Sequence, residues 1–271
     1  MLEQWYQNLG LNLEPTELIL LAGLVLARSM PLLFLNPFLG GKLVPGVVKM
    51  ATGFTFVILL LPSLSLAPSD LPGGFGYVML LAKEASIGAT LGFVSGLVFL
   101  AFSSAGRLVD TQRGTNMAET MFYQLGERTS VFGQFYSQTA IVLFLIVGGH
   151  IIFLRAYFHS FEVLPVWDFP VLAQGATPLA REIIRLTADF WVIALQLAAP
   201  ALIALFLTDI GFGIINRASP QINVFVTSQP AKVAVGVFMV MLVLHVLFEE
   251  FQGHSRGMLI DLYRFVGYLG S

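Results

Sequence analysis

The chain has 271 residues, of which 56% are hydrophobic and 11% are charged, and its formal net charge is −2. Because a soluble globular domain carries about 25% charged residues, this composition excludes a soluble enzyme, and the apolar content excludes a disordered chain. A chain without cysteine has no disulfide scaffold, and the slight negative charge excludes a domain that binds nucleic acid through its phosphates.

About six apolar stretches follow one another along the chain, and each approaches the roughly 20 residues that cross a bilayer as a helix. They are continuously apolar and do not alternate with a period of two, which predicts helices and not strands. We therefore predict an all-α integral membrane protein of about six apolar helices, some broken into hairpins, in a single membrane domain over residues 1–271. The predicted helices cover residues 15–35, 46–67, 77–103, 131–154, 185–208 and 230–249.

Several charged residues lie inside or at the margins of these stretches, and the segment Arg28–Pro31 predicts a break in the first helix. A charge at the bilayer centre costs on the order of 3 kcal/mol, so such groups usually face protein or water. Adjacent helical residues do not face each other, so we expect Lys83 and Glu84 each to pair with a group on another helix. A functional polar pathway is the alternative. The charges concerned are Arg28, Lys83, Glu84, Asp189 and His245.

Three glycines, Gly88, Gly92 and Gly96, recur at intervals of four residues in the third apolar stretch. Small residues at this spacing allow two helix backbones to approach closely within a membrane. The partner of this glycine face is either another helix of the same chain or a helix of a partner subunit.

Two polar segments interrupt the apolar pattern. Residues 105–130 mix charged, amide, methionine and aromatic side chains, and about 25 residues is long for a connection between packed helices. Because methionine adapts to irregular surfaces, this composition suits a movable plug, and a solvated loop is the alternative. Residues 209–232 place glycine, proline and amides between two apolar stretches, which predicts a broken helical hairpin.

The sequence has no constellation for catalysis. It contains no Gly-x-x-x-x-Gly-Lys phosphate-binding loop, and its histidines do not have the spacing of a metalloprotease helix. We therefore predict that the chain is not an enzyme and uses no cofactor and no metal.

Taken in order along nearly the whole chain, the motifs resemble the FliR/SctT family, the export-apparatus proteins of bacterial flagella and of type III secretion systems. The specific segments are Asp110-x-Gln112-Arg113-Gly114 and Asn216-Arg217-Ala218-x-Pro220-Gln221-x-Asn223-Val224-Phe225, followed by Pro230-x-Lys232. Weaker matches are Arg28 with Pro31 and Pro37, Lys83-Glu84 before Gly88 and Gly92, Gly148-Gly149, and Ala199-Pro200. The first segment is more similar to the injectisome branch, SctT, than to the flagellar branch, FliR.

The resemblance implies a non-enzymatic subunit of the type III secretion export gate in the bacterial inner membrane. One copy of the chain, resembling a fusion of a P-type and a Q-type protomer, would join five copies of the FliP/SctR protein and four of the FliQ/SctS protein in a helical pore. The FlhB/SctU switch protein would wrap its closed end, and the multi-pass assembly would be raised toward the periplasm. Unfolded secreted proteins would pass through the pore, and loop 105–130 would plug the closed channel.

The resemblance and the polar composition together indicate three sets of candidate residues. The candidate plug and gating residues are Asp110, Gln112, Arg113, Gly114, Asn116, Met117, Met121 and Phe122. The candidate tip of the second hairpin consists of Asn216, Arg217, Pro220, Gln221, Asn223 and Phe225. The candidate contacts between helices or between subunits are Arg28, Lys83, Glu84, Gly88, Gly92, Gly96, Pro230 and Lys232.

Two other functional classes stay open at this point. A secondary transporter would use discontinuous helices and the buried charges Lys83, Glu84 and Asp189, although the two halves of the chain show no internal repeat. A membrane scaffold would use the same charges only to satisfy one another.

Overall fold

The computed structural model describes residues 15–41, 44–64, 72–114, 130–169, 177–221 and 223–269. The regular structure in these ranges is entirely helical, which confirms the predicted all-α class. The helices, numbered in chain order, are α1 (Pro15–Leu35), α2 (Pro37–Gly40), α3 (Gly46–Leu64), α4 (Phe75–Gln112), α5 (Val131–Ile146), α6 (Gly149–Val163), α7 (Thr177–Ala218) and α8 (Val224–Leu269).

Four helices in the described ranges are long and apolar enough to cross a membrane, namely parts or all of α1, α4, α7 and α8. The number rises to five if α5 and α6 together form one broken span, and the apolar part of α3, Gly46–Leu61, is shorter. These lengths agree with the predicted integral membrane protein, with four or five candidate spans where the sequence predicted about six helices.

The apolar stretch 131–154 predicts one helix, whereas the structure has two, α5 and α6. Gly148 follows α5 with a φ of 77°, a left-handed conformation that favours glycine. Its N–H donates to the carbonyl oxygen of Leu145 at 3.1 Å, and the N–H of Val147 donates to that of Leu143 at 2.9 Å. Gly148 therefore ends α5 as a C-terminal cap.

Helix α4 continues to Gln112, so residues 105–112 of the predicted polar loop are helical. Ala105 and Val109 lie one helical turn apart and are both fully buried, so the packed face of α4 continues beneath the polar residues. The connection to α5 therefore begins only at Arg113.

Helix α1 runs without interruption through Arg28–Pro31, where the sequence predicted a break. Proline removes one hydrogen bond from the helix, but Leu32 and Leu33 immediately beyond it are fully buried. Their packing keeps the last turn of α1 helical.

The chain divides into two compact units, each assembled from separate stretches. The first unit comprises residues 1–96, 150–184 and 258–271, and the second comprises residues 97–149 and 185–257. Helices α4, α7 and α8 contribute to both units. A single membrane domain over residues 1–271 stays a prediction.

In the first unit, the glycine face of α4 packs against α1 of the same chain. A Cβ atom added to Gly88 would collide with the backbone carbonyl of Arg28, and one added to Gly92 would lie 2.9 Å from the Cα of Leu32. At Gly96 the added atom would lie 3.3 Å from a carbonyl oxygen at the end of α1. The sequence left two possible partners for these glycines, a helix of the same chain or a helix of a partner subunit. In the structure the partner is α1 of the same chain.

In the second unit, aromatic side chains from α4, α5 and α8 form a packed core. The ring of Phe99 lies 5.2 Å from that of Phe144, and the ring of Phe102 lies 5.3 Å from that of Phe251, both in edge-to-face geometry. These rings are fully or almost fully buried, and edge-to-face pairs are worth about 0.5–1.5 kcal/mol beyond their area. This core fixes the end of α4 from which the polar connection departs.

Candidate functional site

A buried ionic cluster lies in the first unit, where Arg28 of α1 meets Glu84 of α4. Nε of Arg28 donates to Oε2 of Glu84, and Nη2 donates to Oε1 at 2.9 Å. Nη1 donates to the carbonyl and hydroxyl oxygens of Ser160 at 2.8 and 3.1 Å, and Nη2 donates to the carbonyl oxygen of Leu164 at 2.9 Å. The guanidinium also lies 4.0 Å from the ring centroid of Phe161. Every N–H donor of Arg28 is therefore in use.

Lys83 completes this cluster and contacts the chain segment after α6. Its Nζ lies 2.6 Å from Oε1 of Glu84 and donates to the carbonyl oxygens of Pro165, Val166 and Asp168 at 3.2, 3.0 and 2.7 Å. Adjacent residues on a helix do not face each other, so the sequence did not predict this contact between Lys83 and Glu84. The contact forms because the lysine side chain is long enough to reach the neighbouring carboxylate. The two cations face the carbonyl-rich end of α6, where a helix carries partial negative charge.

The second unit contains the Asp110–Gly114 segment at the end of α4. We call residues 110–114 and 130–133 together the loop foot, because they are the two ends of the connection between α4 and α5. Four of the five residues in the Asp110–Gly114 segment, namely Asp110, Gln112, Arg113 and Gly114, contact other helices, each in a different way.

Asp110 caps the N-terminus of α5. Its Oδ2 accepts hydrogen bonds from the hydroxyl of Ser130 at 2.6 Å and from the backbone N–H of Phe132 at 2.8 Å. The Ser130 hydroxyl in turn accepts from the N–H of Gly133 at 2.8 Å, as an N-cap residue does. A carboxylate here satisfies free N–H groups and complements the positive end of the helix dipole. Asp110 therefore ties the end of α4 to the beginning of α5.

Gln112 connects α4 to the hairpin formed by α7 and α8. Its Nε2 donates to Oδ2 of Asp209 in α7 at 3.2 Å. Oδ1 of Asp209 forms an ion pair with Nζ of Lys232 in α8, in which the lysine side chain is 13% and the aspartate side chain 34% exposed. One carboxylate thus joins three helices.

Arg113 is buried in the loop foot. Its guanidinium lies 4.2 Å from the ring centroid of Phe132, and Nη1 lies 3.3 Å from Oδ1 of Asp110. Its aliphatic part occupies the space over Gly236 of α8, where an added Cβ would collide with Cδ of Arg113. This side chain therefore packs inside the second unit.

Gly114 turns the chain away from α4 with a φ of 80°. Its N–H donates to the carbonyl oxygen of Thr111 at 3.1 Å, and a Cβ added to it would lie 3.0 Å from the side-chain amide of Gln229 in α8. Both the conformation and the close contact favour glycine. The remaining candidate plug residues, Asn116, Met117, Met121 and Phe122, lie outside the described residues.

The predicted hairpin forms a helix–turn–helix in which α7 ends at Ala218 and α8 begins at Val224. Oδ1 of Asn223 accepts from the N–H of Val226 at 3.4 Å, and Phe225 is 55% exposed. From Asp209 to the end of α7 the helix rises about 14 Å, so the tip extends well beyond the loop foot. The other tip candidates, exposed or partly exposed, are Asn216, Arg217, Pro220 and Gln221.

Two further candidates occupy different surroundings. Pro230 lies inside α8, two residues before Lys232, which forms an ion pair with Asp209. The apolar surroundings of Asp189 in the sequence predict a buried charge, but its side chain is 52% exposed and pairs with Arg185, one turn earlier in α7, at 3.7 Å. An exposed pair at this spacing stabilises a helix only slightly, and it is no part of a buried pathway.

Several residues of these sites were not predicted. Ser160, Ser130, Phe132, Asp209 and Gly236 make contacts that depend on which helices meet, and this is not visible in one sequence. Two of them carried a local signal, since a serine immediately before an apolar run predicts an N-cap and an acid in an apolar helix requires a partner. In the described part of the chain, no group of acidic residues and histidines is arranged to hold a metal ion.

Comparison with known proteins gives the family. A family model described as bacterial export proteins, family 1, matches residues 19–258. The flagellar biosynthetic protein FliR of Bacillus subtilis is 31% identical over 212 residues, covering 78% of this chain and 81% of that protein. Yop proteins translocation protein T of Yersinia pestis is 33% identical over 214 residues, with the same coverage.

A third relative, the surface presentation of antigens protein SpaR of Shigella flexneri, is 27% identical over 244 residues and covers 88% of both chains. These relatives come from flagellar and from virulence-associated systems, so they do not separate the two branches. Family members are components of export apparatus and not enzymes. The chain is a membrane protein that belongs to the FliR/SctT family of bacterial export proteins.

Proposed function

We propose that the chain is the single-copy subunit of the type III secretion export gate in the bacterial inner membrane. It forms part of the entrance pore for unfolded secreted proteins, and the connection between α4 and α5 plugs the closed channel. The observation that carries this proposal is the loop foot, where the carboxylate of Asp110 holds Ser130 and Phe132 at 2.6 and 2.8 Å.

A plug must stay in place while the channel is closed, and this requires a rigid base. The hydrogen bonds of Asp110 hold the end of α4 close to Ser130 and Phe132, so the described residues on the two sides of segment 115–129 lie close together. A closed segment of about 15 residues extends at most about 25 Å from its base. An extended or helical peptide is about 10 Å across, so the segment is long enough to occlude a channel of that width.

The apolar surfaces of α7 and α8 support an assembly with other membrane helices. In the most apolar window of α4 67% of the residues are buried within the chain, but only 28% are buried in α7 and 22% in α8. Exposed apolar faces of this length require lipid or partner helices. We propose the family assembly, with five FliP/SctR-type and four FliQ/SctS-type subunits and an FlhB/SctU-type switch protein, raised toward the periplasm.

The transporter hypothesis has less support. Glu84 and Lys83 already share a saturated buried cluster with Arg28, and Asp189 is half exposed and paired along its own helix. Lys83 and Glu84 therefore hold helices together, and none of the three charges is a free buried group for a coupling ion. Between the two branches of the family, the form of the Asp110–Gly114 segment leads us to favour the injectisome.

The test is removal of residues 116–128 in the assembled membrane complex, which spares the whole loop foot. We expect the deleted complex to conduct ions when no substrate is present, while native mass spectrometry still finds one copy of the chain with its partners. Replacement of the same residues by a glycine–serine linker is the matched control for loop length, and it should leak as well if side chains make the seal. An intact complex with unchanged conductance would refute the plug.

A further inference from the structure

We propose that Asp209 is a positioning residue for the loop foot. Held by Lys232, its carboxylate fixes Gln112 and thereby couples the end of α4 to the α7–α8 hairpin. The consequence of this coupling for channel closure rests on the proposed function. The coupling between the end of α4 and the α7–α8 hairpin can be tested separately.

The geometry assigns the two carboxylate oxygens of Asp209 to two different tasks. Oδ2 accepts from the amide of Gln112 at 3.2 Å, and Oδ1 pairs with Nζ of Lys232. The ion pair alone would hold α7 against α8 without reaching α4. The hydrogen bond between Gln112 and Asp209 reaches α4 and so links the position of Asp209 to the loop foot.

The position of Gln112 in the chain makes this bond consequential. It is the last residue of α4, followed by Arg113 and Gly114, where the backbone leaves the helix with a φ of 80°. A shift of Gln112 therefore moves the first residue of the connection directly. Asp110 separately ties the start of α5 to α4, so loss of the Gln112 bond removes the link between the loop foot and Asp209 of α7 and leaves the tie between α4 and α5 in place.

The hairpin is long enough to act on this bond from a distance. Its tip lies about 14 Å beyond Asp209 along α7, and nothing lies within 4 Å of a Cβ added to Gly211 or Gly213 between them. Displacement of the exposed tip would thus move Asp209 and Lys232 together, and Gln112 would follow or lose its acceptor. In this view the hairpin controls how firmly the loop is held.

The experiment measures the coupling directly with spin labels at Thr111→Cys and Gly213→Cys in the assembled complex, since the chain has no cysteine of its own. Both positions are exposed, and the distance distribution between them reports how firmly α4 is held to α7. The distance distribution is compared among three variants. Two are the single substitutions Asp209→Asn and Gln112→Leu. The third is an exchange variant that combines Gln112→Glu with Asp209→Asn and so returns one carboxylate and one amide to the site. Asp189→Asn is the control, an exposed carboxylate on the same helix.

We expect Asp209→Asn and Gln112→Leu to broaden the distance distribution and to raise the ion leak about tenfold, which corresponds to about 1.4 kcal/mol. The exchange variant should restore both the narrow distribution and the low leak. An unchanged distribution in Gln112→Leu, which keeps the ion pair, overturns the positioning role and leaves Asp209 as a pair for Lys232 only. A broadened distribution that the exchange does not narrow also overturns it. A broadened and restored distribution without any leak supports the coupling and refutes the plug function.

Discussion

The buried cluster around Arg28 makes a quantitative prediction for Glu84→Gln. This substitution keeps the shape of the side chain but leaves the guanidinium of Arg28 and the ammonium of Lys83 without their shared carboxylate. Both Arg28 and Glu84 are fully buried, and removal of one partner from a buried pair costs about 3–5 kcal/mol. For a chain of this size that loss lowers the unfolding midpoint by about 10 °C.

The measurement uses a single cysteine at Ala156, a fully buried position of α6 in the first unit. Cysteine is as readily buried as alanine, so this side chain should stay buried while the unit is folded. Its reaction with a maleimide during heating of the detergent-solubilised complex therefore reports the opening of the unit. Glu162→Gln is the matched control, since Glu162 lies on the same helix, is 76% exposed and pairs with His159. Exposed pairs contribute about 0–1 kcal/mol, so its midpoint should fall by less than about 3 °C.

A second variant, Arg28→Lys, separates charge from geometry. Lysine keeps the positive charge, but three donors on one nitrogen cannot reach Glu84 together with the carbonyl oxygens of Ser160 and Leu164. Its midpoint should therefore fall nearly as far as that of Glu84→Gln. If Glu84→Gln falls no further than Glu162→Gln, the cluster does not hold the first unit together and the reasoning fails.

Three further predictions concern close contacts. Gly88→Ala should lower the free energy of unfolding by more than about 2 kcal/mol, because its Cβ meets the backbone of α1. Gly253→Ala, with open space around it, should be neutral or stabilising. The amount of each variant in the membrane checks this prediction. Gly114→Ala should cost about 1–3 kcal/mol at its positive φ and reduce secretion, and Gly211→Ala should not. Tyr136→Phe should leave stability unchanged or raise it by about 1 kcal/mol, because the buried hydroxyl has no hydrogen-bond partner among the residues that the structure describes; a clear loss in a thermal melt would contradict this.

Composition and apolar length were sufficient to predict the helical membrane class, because apolar runs of about 20 residues without a period-two alternation are typical of helices that cross a membrane. The glycine spacing likewise predicted a close helix contact, which α4 makes with α1. Helix ends were less predictable. Polar residues such as Asp110 and Gln112 suggested a loop, but Val109 and Ala105 are buried on the same face, and this packing keeps α4 helical to Gln112.

Contacts between distant residues were beyond prediction from the sequence. Arg28 and Glu84 were recognised as charges that need partners, but Ser160 and Leu164 contribute only carbonyl or hydroxyl oxygens, which every chain has in excess. Asp189 shows the converse error, since an acid in an apolar stretch was taken as buried although that side of α7 is exposed. Hydropathy reports the average of a helix and not the orientation of one residue on it.

Charges at two helix ends, the N-terminus of α5 and the C-terminus of α6, have a common physical origin. A helix end leaves backbone N–H or C=O groups without a partner inside its own helix. At the N-terminus of α5 the ligand is an anion, Asp110, which accepts from the N–H of Phe132 and the hydroxyl of Ser130. At and just beyond the C-terminus of α6 the ligands are cations, Arg28 and Lys83, which donate to carbonyl oxygens. The signs follow the helix dipole in both units. At these two helix ends the sign of the charge therefore matches the end that it meets, whereas the break at Gly148 between α5 and α6 is closed by backbone hydrogen bonds.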